Sequence, residues 1–375
     1  MTDTLIIGCG IAGLLTARRL LEAGMQVTLL DRQLPGRESS WAGGGILCPL
    51  MPWDMPDPVM QLSRRSQACY PELAALLLQH GHGDAEWQRS GLLVLDLDDA
   101  AAGHAGAWCR SAFEPHAWID AASASQLAGG LSFPSYEEKP DHDNHPHLWL
   151  PMVAQVRNPR LLQCLQRAIR DLGGVMLPDT EVEGWVKKGD RLSAVLTRRG
   201  PMEAGQFVFT SGAWTGQLLQ HCQPSATALP VQPVKGQMLA FQARPEALAC
   251  MVICNGHYLI PRMDGVILAG STVEYCGFDK TIQEETRHTL TRFLHQLRPD
   301  LSEAPLLDHW AGLRPGSPQG IPFIGKIPGL DNAWCNAGHF RNGLVMGPAS
   351  AELLVDLMLD QNPVLDPSPF ALPQH

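Results

Sequence analysis

Three glycines in G-x-G-x-x-G spacing, Gly8, Gly10 and Gly13, follow the apolar run "TLIIG" and open "IAGLLTARRLLEAG", whose leucines recur at helical spacing. In that context each glycine has a mechanical task. The first makes a tight turn, the second lets the backbone approach a pyrophosphate, and the third lets helix and strand pack closely. The helix N-terminus adds unsatisfied N–H groups and a partial positive charge for the same anion. Asp31 closes the next apolar run, "QVTLLD", 18 residues after Gly13, where it can accept a hydrogen bond from a ribose hydroxyl. The set predicts a dinucleotide-binding βαβ unit over residues 4–31 and leaves NAD and FAD both open.

Two further stretches could do chemistry. In "SSWAGGG", the hydroxyls of Ser39 and Ser40 and the successive glycines Gly43, Gly44 and Gly45 suit a loop that lies flat against a ring system and bonds to it and to a diphosphate. An unliganded flexible loop fits that composition equally. In "GHFRNG", Arg341 stands between Gly338 and Gly343, and a second arginine, Arg314, stands in "AGLRPGSP". The planar guanidinium pairs with a carboxylate at two points and stays charged at any working pH. Either arginine could equally cap a helix or join an ion pair. No acidic residue lies between Asp308 and Asp331, so Arg314 has no oppositely charged neighbour in sequence. An uncompensated buried guanidinium is costly, so a pocket with two arginines needs a carboxylate from elsewhere in the fold or an anionic ligand.

The elements that must position these residues alternate along the chain. After the first βαβ unit, "LSRRSQACYPELAALLLQHG" reads as a helix interrupted at Pro71. "RNPRLLQCLQRAIRDLGG" reads as a helix with Asn158 as N-cap, Pro159 at its first position and Gly173-Gly174 closing it. Short alternating strands follow to "QFVFTSGAWTG", then "PVKGQMLAFQA", "HYLIPR" and "GVILAGS" as strands of another sheet, and a helix from about Thr281 to Leu297. This order predicts two interleaved domains, with residues 1–47, 152–226 and 306–375 forming the cofactor domain and 48–151 and 227–305 the substrate domain.

Composition narrows the function class. The 375-residue chain is 45% hydrophobic and 18% charged, an ordinary globular balance. Its net charge of −10, with no Lys/Arg cluster longer than a pair, argues against nucleic acid and anionic membranes as partners. Ten cysteines without a CxxC fit reduced thiols in the cytoplasm. "MTDTLIIGCGIAGLLTARRL" lacks a basic n-region and a cleavage site, and its apolar run is too short to span a bilayer, so no targeting or transmembrane segment is expected.

Seven segments carry a family resemblance. "IIGCGIAGLLTARRLLEAGMQVTLLDR", "SSWAGGG", "QVRNPRLL", "VFTSGAWTG", "PVKGQML", "AGLRPGSPQGIPFIG" and "GHFRNGLVMGPASAELL" resemble, in this order, the D-amino-acid-oxidase-like family of FAD amine oxidoreductases, and within it the glycine oxidases of the thiamin pathway. The likeness runs from Thr4 to about Leu357. It implies an α/β fold: a glutathione-reductase-type FAD-binding Rossmann domain with an interleaved antiparallel-sheet substrate domain.

The resemblance also implies roles. Toward FAD it adds Ile11, Ala12, Arg32, Val182, Ser211, Gly212, Trp214, Gly312, Arg314, Gly338, His339, Arg341, Asn342, Gly343 and Leu344. Toward the substrate it makes Arg314 the main carboxylate anchor, Arg341 the second contact, and Tyr258 the donor to the other oxygen. Glycine, sarcosine, D-alanine and D-proline are the implied substrates, with direct hydride transfer from Cα to flavin N5 and no catalytic side chain. Dioxygen is the expected acceptor, giving hydrogen peroxide; a dehydrogenase using a quinone or carrier and a non-catalytic flavin-binding module are the alternatives. The flavin is expected to be non-covalent, because no cysteine follows the arginine motif in "LRPGSPQGIPFIGKIPGL". Oligomerisation of the chain is left open. His142, His145 and His147 depart from the family pattern, as does Trp41, and the histidines read as a solvated loop, so no metal is assigned.

Overall fold

The computed structural model describes residues 2–133, 147–222 and 228–373. The chain opens with β1 (Thr2–Ile7), α1 (Ile11–Glu22) and β2 (Val27–Leu30), the βαβ unit expected from the glycine spacing. Helix α2 (Ser39–Ala42) is a single turn at the start of "SSWAGGG", which was expected to be loop throughout. The long α3 (Asp57–Gln79) then leads through β3 (Leu92–Val94), α4 (Asp99–Ser111), β4 (Ala117–Ile119), α5 (Ala121–Ala128) and β5 (His147–Leu150). Next come α6 (Asn158–Asp171), β6 (Val175–Leu177), β7 (Val182–Lys188), β8 (Arg191–Thr197), β9 (Gly200–Phe209) and α7 (Thr215–Cys222). The remainder is β10 (Gln232–Gln242), β11 (Met251–Cys254), β12 (His257–Pro261), β13 (Val266–Gly270), α8 (Glu284–Leu297), β14 (Leu306–Gly316), β15 (Phe323–Lys326), β16 (Ala333–Ala337) and α9 (Gly343–Met358).

Two sheets organise these elements. The first runs β15-β16-β9-β1-β2-β6, with the ribbon β7-β8 joined to β9. Its four central pairings, β16·β9, β9·β1, β1·β2 and β2·β6, are parallel. Parallel strands are buried on both faces, which explains why β1 and β2 read as unbroken apolar runs. Leu14, Leu15, Leu20 and Leu21 of α1 and Leu161, Leu162, Leu165 and Ile169 of α6 join one core on this sheet, each full burial contributing about 1.5–3 kcal/mol.

The second sheet runs β14-β10-β13-β12-β11-β3-β5-β4 and is antiparallel except at β11·β3. Strand alternation splits its side chains between two faces. Leu239, Phe241 and Leu259 pack under α8, while Met238, Ala240, Tyr258 and Ile260 belong to the opposite face. β14 lies in this sheet beside β10, although residues 306–316 were expected in the cofactor domain.

Several local expectations shift. α3 continues through Pro71 without a break. Proline removes one helical hydrogen bond there, but Tyr70, Leu73 and Leu77 are buried on the same helix, Tyr70 Oη donates to the Leu344 carbonyl at 2.6 Å, and Ser66 Oγ accepts the Ala349 N–H at 2.9 Å. Packing against α9 outweighs the lost bond. The cap of α6 is Arg157, not Asn158, whose Nδ2 instead donates to the Ser40 carbonyl at 2.9 Å. α8 starts at Glu284 because Thr281 is engaged upstream: its N–H donates to Asp279 Oδ1 at 2.8 Å and its carbonyl accepts Lys235 Nζ at 3.1 Å. His147 is no solvated loop residue: it is 1% exposed at the start of β5, its Nδ1 accepts the Asp96 N–H at 3.2 Å, and its ring stacks on Phe133. His142 and His145 lie outside the described residues. All ten cysteines are free thiols. Among the described residues, no helix is long and apolar enough to cross a membrane.

Candidate active site

The glycine turn leaves the C-terminal end of β1, between β2 and β9, where ligands of parallel sheets bind. Gly8 has φ +110°, and a side chain there would also meet the Thr210 carbonyl oxygen at 2.5 Å, so both conformation and space demand glycine. Gly10 caps α1 without any side-chain bond, and a Cβ on Gly13 would overlap the Gly8 carbonyl. The Ser40 hydroxyl accepts the Ile11 N–H at 2.9 Å, which ties α2 to the first turn of α1. Asp31 Oδ2 accepts the Cys9 N–H at 2.9 Å and Oδ1 the Gln33 N–H at 3.1 Å. Burial raises the Asp31 carboxyl above its ordinary value of 3.8, against the pull of those two bonds.

A cavity of about 530 Å³ extends from this turn to the second sheet. Every residue expected at the site lines it except Gly13 and Gly338. Gly13 seals the helix against the strand, and Gly338 has φ +85°, where a Cβ would lie 3.2 Å from Phe323 and Ser317. The N-terminus of α9, with Asn342 as cap and no side-chain cap bond, opens on the same cavity through Gly343 and Leu344. His339 is 4% exposed, and burial lowers its imidazole to about 4, so it is neutral at physiological pH.

At the far end Arg314 and Tyr258 share one wall. Arg314 Nη1 donates to the Thr272 carbonyl at 2.9 Å and the Lys235 carbonyl at 3.2 Å, and Nη2 donates to Ser271 Oγ at 2.8 Å. These bonds use three of its five N–H donors. Among the described residues no carboxylate pairs with Arg314: the nearby Glu274 is bound to Lys235 Nζ at 2.8 Å, Gln237 Nε2 at 2.8 Å and Thr272 Oγ1 at 2.5 Å. Desolvation accordingly lowers the Arg314 guanidinium below its ordinary value, with the adjacent Tyr258 opposing and Arg341 reinforcing that shift. Tyr258 is 6% exposed, and its hydroxyl lies 3.6 Å from Met238 Sδ and interacts with the Arg314 guanidinium. Arg341 lies on the single turn Phe340–Asn342, exposed at the cavity rim. Two guanidinium groups and a phenol hydroxyl thus line one cavity, and Arg314 keeps two N–H donors beyond those three bonds, an arrangement suited to a carboxylate.

The sequence reading missed supporting residues. Arg262 of "HYLIPR" is 6% exposed and donates to Gln155 Oε1 at 2.6 Å, the Val156 carbonyl at 3.0 Å and the Gly44 carbonyl at 2.7 Å. Burial lowers it to about 10. Glu38 accepts Arg32 Nη2 at 2.9 Å and Lys280 Nζ at 3.2 Å, while Arg32 stacks 3.8 Å over the Trp214 ring. Apart from Arg32–Glu38, six residues apart, these partners are distant in sequence, so no local spacing could have pointed to them.

The glycine turn at the head of α1 and the buried Arg314 line one cavity, the arrangement of a nucleotide-dependent enzyme. Residues 3–357 match the DAO family of FAD-dependent oxidoreductases, and the chain belongs to it. It is 43% identical over 367 residues to the glycine oxidase of Pseudomonas aeruginosa, covering 98% of this chain and 97% of that protein. It is 31% identical to the bifunctional protein ThiO/ThiG of Synechocystis, covering 96% of this chain and 52% of that protein. The crystal structure of glycine oxidase from Geobacillus kaustophilus shares its fold with a TM-score of 0.91 at 26% identity, covering 100% of this chain and 99% of that one.

Proposed function

We propose that the chain oxidises glycine and other small amines, sarcosine, D-alanine and D-proline among them, to the oxoacid and ammonia or amine, with dioxygen as acceptor and hydrogen peroxide as product. The observation that carries this reading is Arg314, a desolvated cation without a carboxylate partner among the described residues, on the same cavity as the Gly8–Gly13 turn. The 43% identity to a glycine oxidase supports the choice of amine. A role in thiamin thiazole supply rests on the sequence resemblance and on the match to half of a ThiO/ThiG protein.

The cavity fits FAD. The N-terminus of α1, whose Ile11 N–H goes to Ser40, and the side-chain-free Gly10 suit the diphosphate, and Asp31 retains lone pairs for a ribose hydroxyl. Ser39–Gly45, Trp214 and residues 338–344 complete the holding set, and no cysteine follows Arg314 until Cys335, in keeping with non-covalent attachment. We assign residues 1–47, 152–226 and 306–375 to the cofactor half and 48–151 and 227–305 to the substrate half, with β14 of the former extending the second sheet beside β10.

Bound there, FAD supplies a two-electron acceptor for the hydride on the substrate Cα. The protein's part is orientation. Arg314 holds the carboxylate, Tyr258 donates to its other oxygen, and Arg341 adds charge from the rim. Such fixing can lower a barrier by up to ~7–11 kcal/mol, and it requires no side-chain base when the amine binds neutral. The N-terminus of α9 contributes partial positive charge that stabilises negative charge gained in the cavity.

Anaerobic addition of glycine to the purified yellow protein tests the reading, because it should bleach the flavin band and air should restore it with one peroxide per glyoxylate. A spectrum indifferent to all four amines would leave only flavin binding. Bleaching that air does not reverse would make the enzyme a dehydrogenase.

A further inference from the structure

In the second sheet two glycines face each other. Gly236 on β10 and Gly312 on β14 are register partners, and both line the cavity. Glycine weakens a strand interior because it contributes no packing and loses the most entropy on folding. Neither residue has a positive φ that would require it. Space explains both. A Cβ on Gly312 would lie 2.5 Å from Ala42 Cβ, so this glycine lets α2 dock on the sheet.

A Cβ on Gly236 would overlap the Arg314 guanidinium at Nη1, Nη2 and Cζ, its three nearest neighbours. Arg314 pairs across the ladder with Val234, so Gly236 is its diagonal neighbour on the same face, within reach of a long side chain. The Lys235 carbonyl, beside Gly236, accepts from Nη1, and the Ser271 hydroxyl and Thr272 carbonyl hold the head from the other side. The guanidinium therefore rests on the bare backbone of residue 236.

We propose that Gly236 is the positioning residue of the carboxylate anchor: its missing side chain sets where the Arg314 guanidinium stands, and so where the substrate carboxylate binds. This rests on the reading of Arg314 as anchor. Because the atoms in the way are the far end of a flexible side chain, an added methyl displaces the head without disrupting the strand. The effect falls on substrate binding and spares folding.

Gly236→Ala holoenzyme should keep its thermal midpoint and FAD affinity while KM for glycine rises about 10–100-fold, the order expected for a displacement near 1 Å. Arg314→Lys removes the planar head, so adding Gly236→Ala to Arg314→Lys should change KM little further, a non-additivity that a merely structural glycine would not produce. A Gly236→Ala KM within twofold of the parent, or effects of the two changes that multiply, overturns the proposal. Should Gly236→Ala fail to fold, folding of the double variant supports it, and failure of both overturns it. If Arg314→Ala itself leaves KM unchanged, the anchor reading fails instead, a separable outcome.

Discussion

The two ends of the cavity are built from different material. At the end proposed for the cofactor the parts are main chain: the turn at Gly8, the N-termini of α1 and α9, and the glycine run after α2, with Asp31 and Ser40 fastening the turn itself. At the end proposed for the substrate they are side chains, Arg314 and Tyr258, with Arg314 seated by residues from β10 and from the segment after β13. A backbone cradle tolerates no side chain where the ligand or a second strand must approach. A side-chain clamp depends instead on its supports. Perturbing one end should therefore leave the other nearly intact.

The largest separation is expected at Gly8. Gly8→Ala forces a positive φ, worth roughly 1–3 kcal/mol of strain, together with a collision at Thr210. FAD affinity of the apoprotein, followed by flavin fluorescence, should fall on the order of 100-fold by the same reckoning. Normal FAD affinity would break the comparison on its cofactor side. Tyr258→Phe probes the other end: losing one hydrogen bond to a charged group should raise KM for glycine about tenfold with FAD affinity unchanged. A shift in FAD affinity as large as that in KM would show that the two ends are not separable.

A third change should touch neither end. Glu352 on α9 accepts Arg65 Nε at 2.7 Å and Nη2 at 2.8 Å, with Arg19 Nη2 at 3.3 Å, and the Arg65 bond holds its carboxyl below the ordinary 4.5. A lowered folded-state pKa means stability present above the ordinary value and lost as pH falls through the lowered one. Glu352→Gln should therefore lower stability by about 1–2 kcal/mol near neutrality. The gap to the parent in thermal midpoint should narrow below pH 4.5. A gap independent of pH would remove the ion pair as its cause.

The same division explains what was legible in the sequence. Gly8, Gly10, Gly13 and Asp31 act through local geometry, so their spacing alone predicted the βαβ unit. Arg314 and Tyr258 could be singled out by motif, but not their seats, because Gly236, Ser271 and Thr272 meet Arg314 only through strand pairing. Arg262 was invisible for the same reason, since its partners come from Gly44, Gln155 and Val156. Pro71 and Asn158 misled locally: α9 keeps α3 continuous, and the Asn158 amide serves Ser40 in place of capping its own helix. The histidine segment misled at its end, where Phe133 and Asp96 bury His147.

Arg314 is proposed to anchor the substrate carboxylate on a cavity whose cofactor end stands without it. Steady-state kinetics and flavin content of purified Arg314→Ala test it together. KM for glycine should rise on the order of 100-fold, as expected when a paired charge-assisted contact of ~3 kcal/mol is lost, while the protein retains its full complement of FAD. An unchanged KM, or a variant purified without flavin, would contradict that role for Arg314.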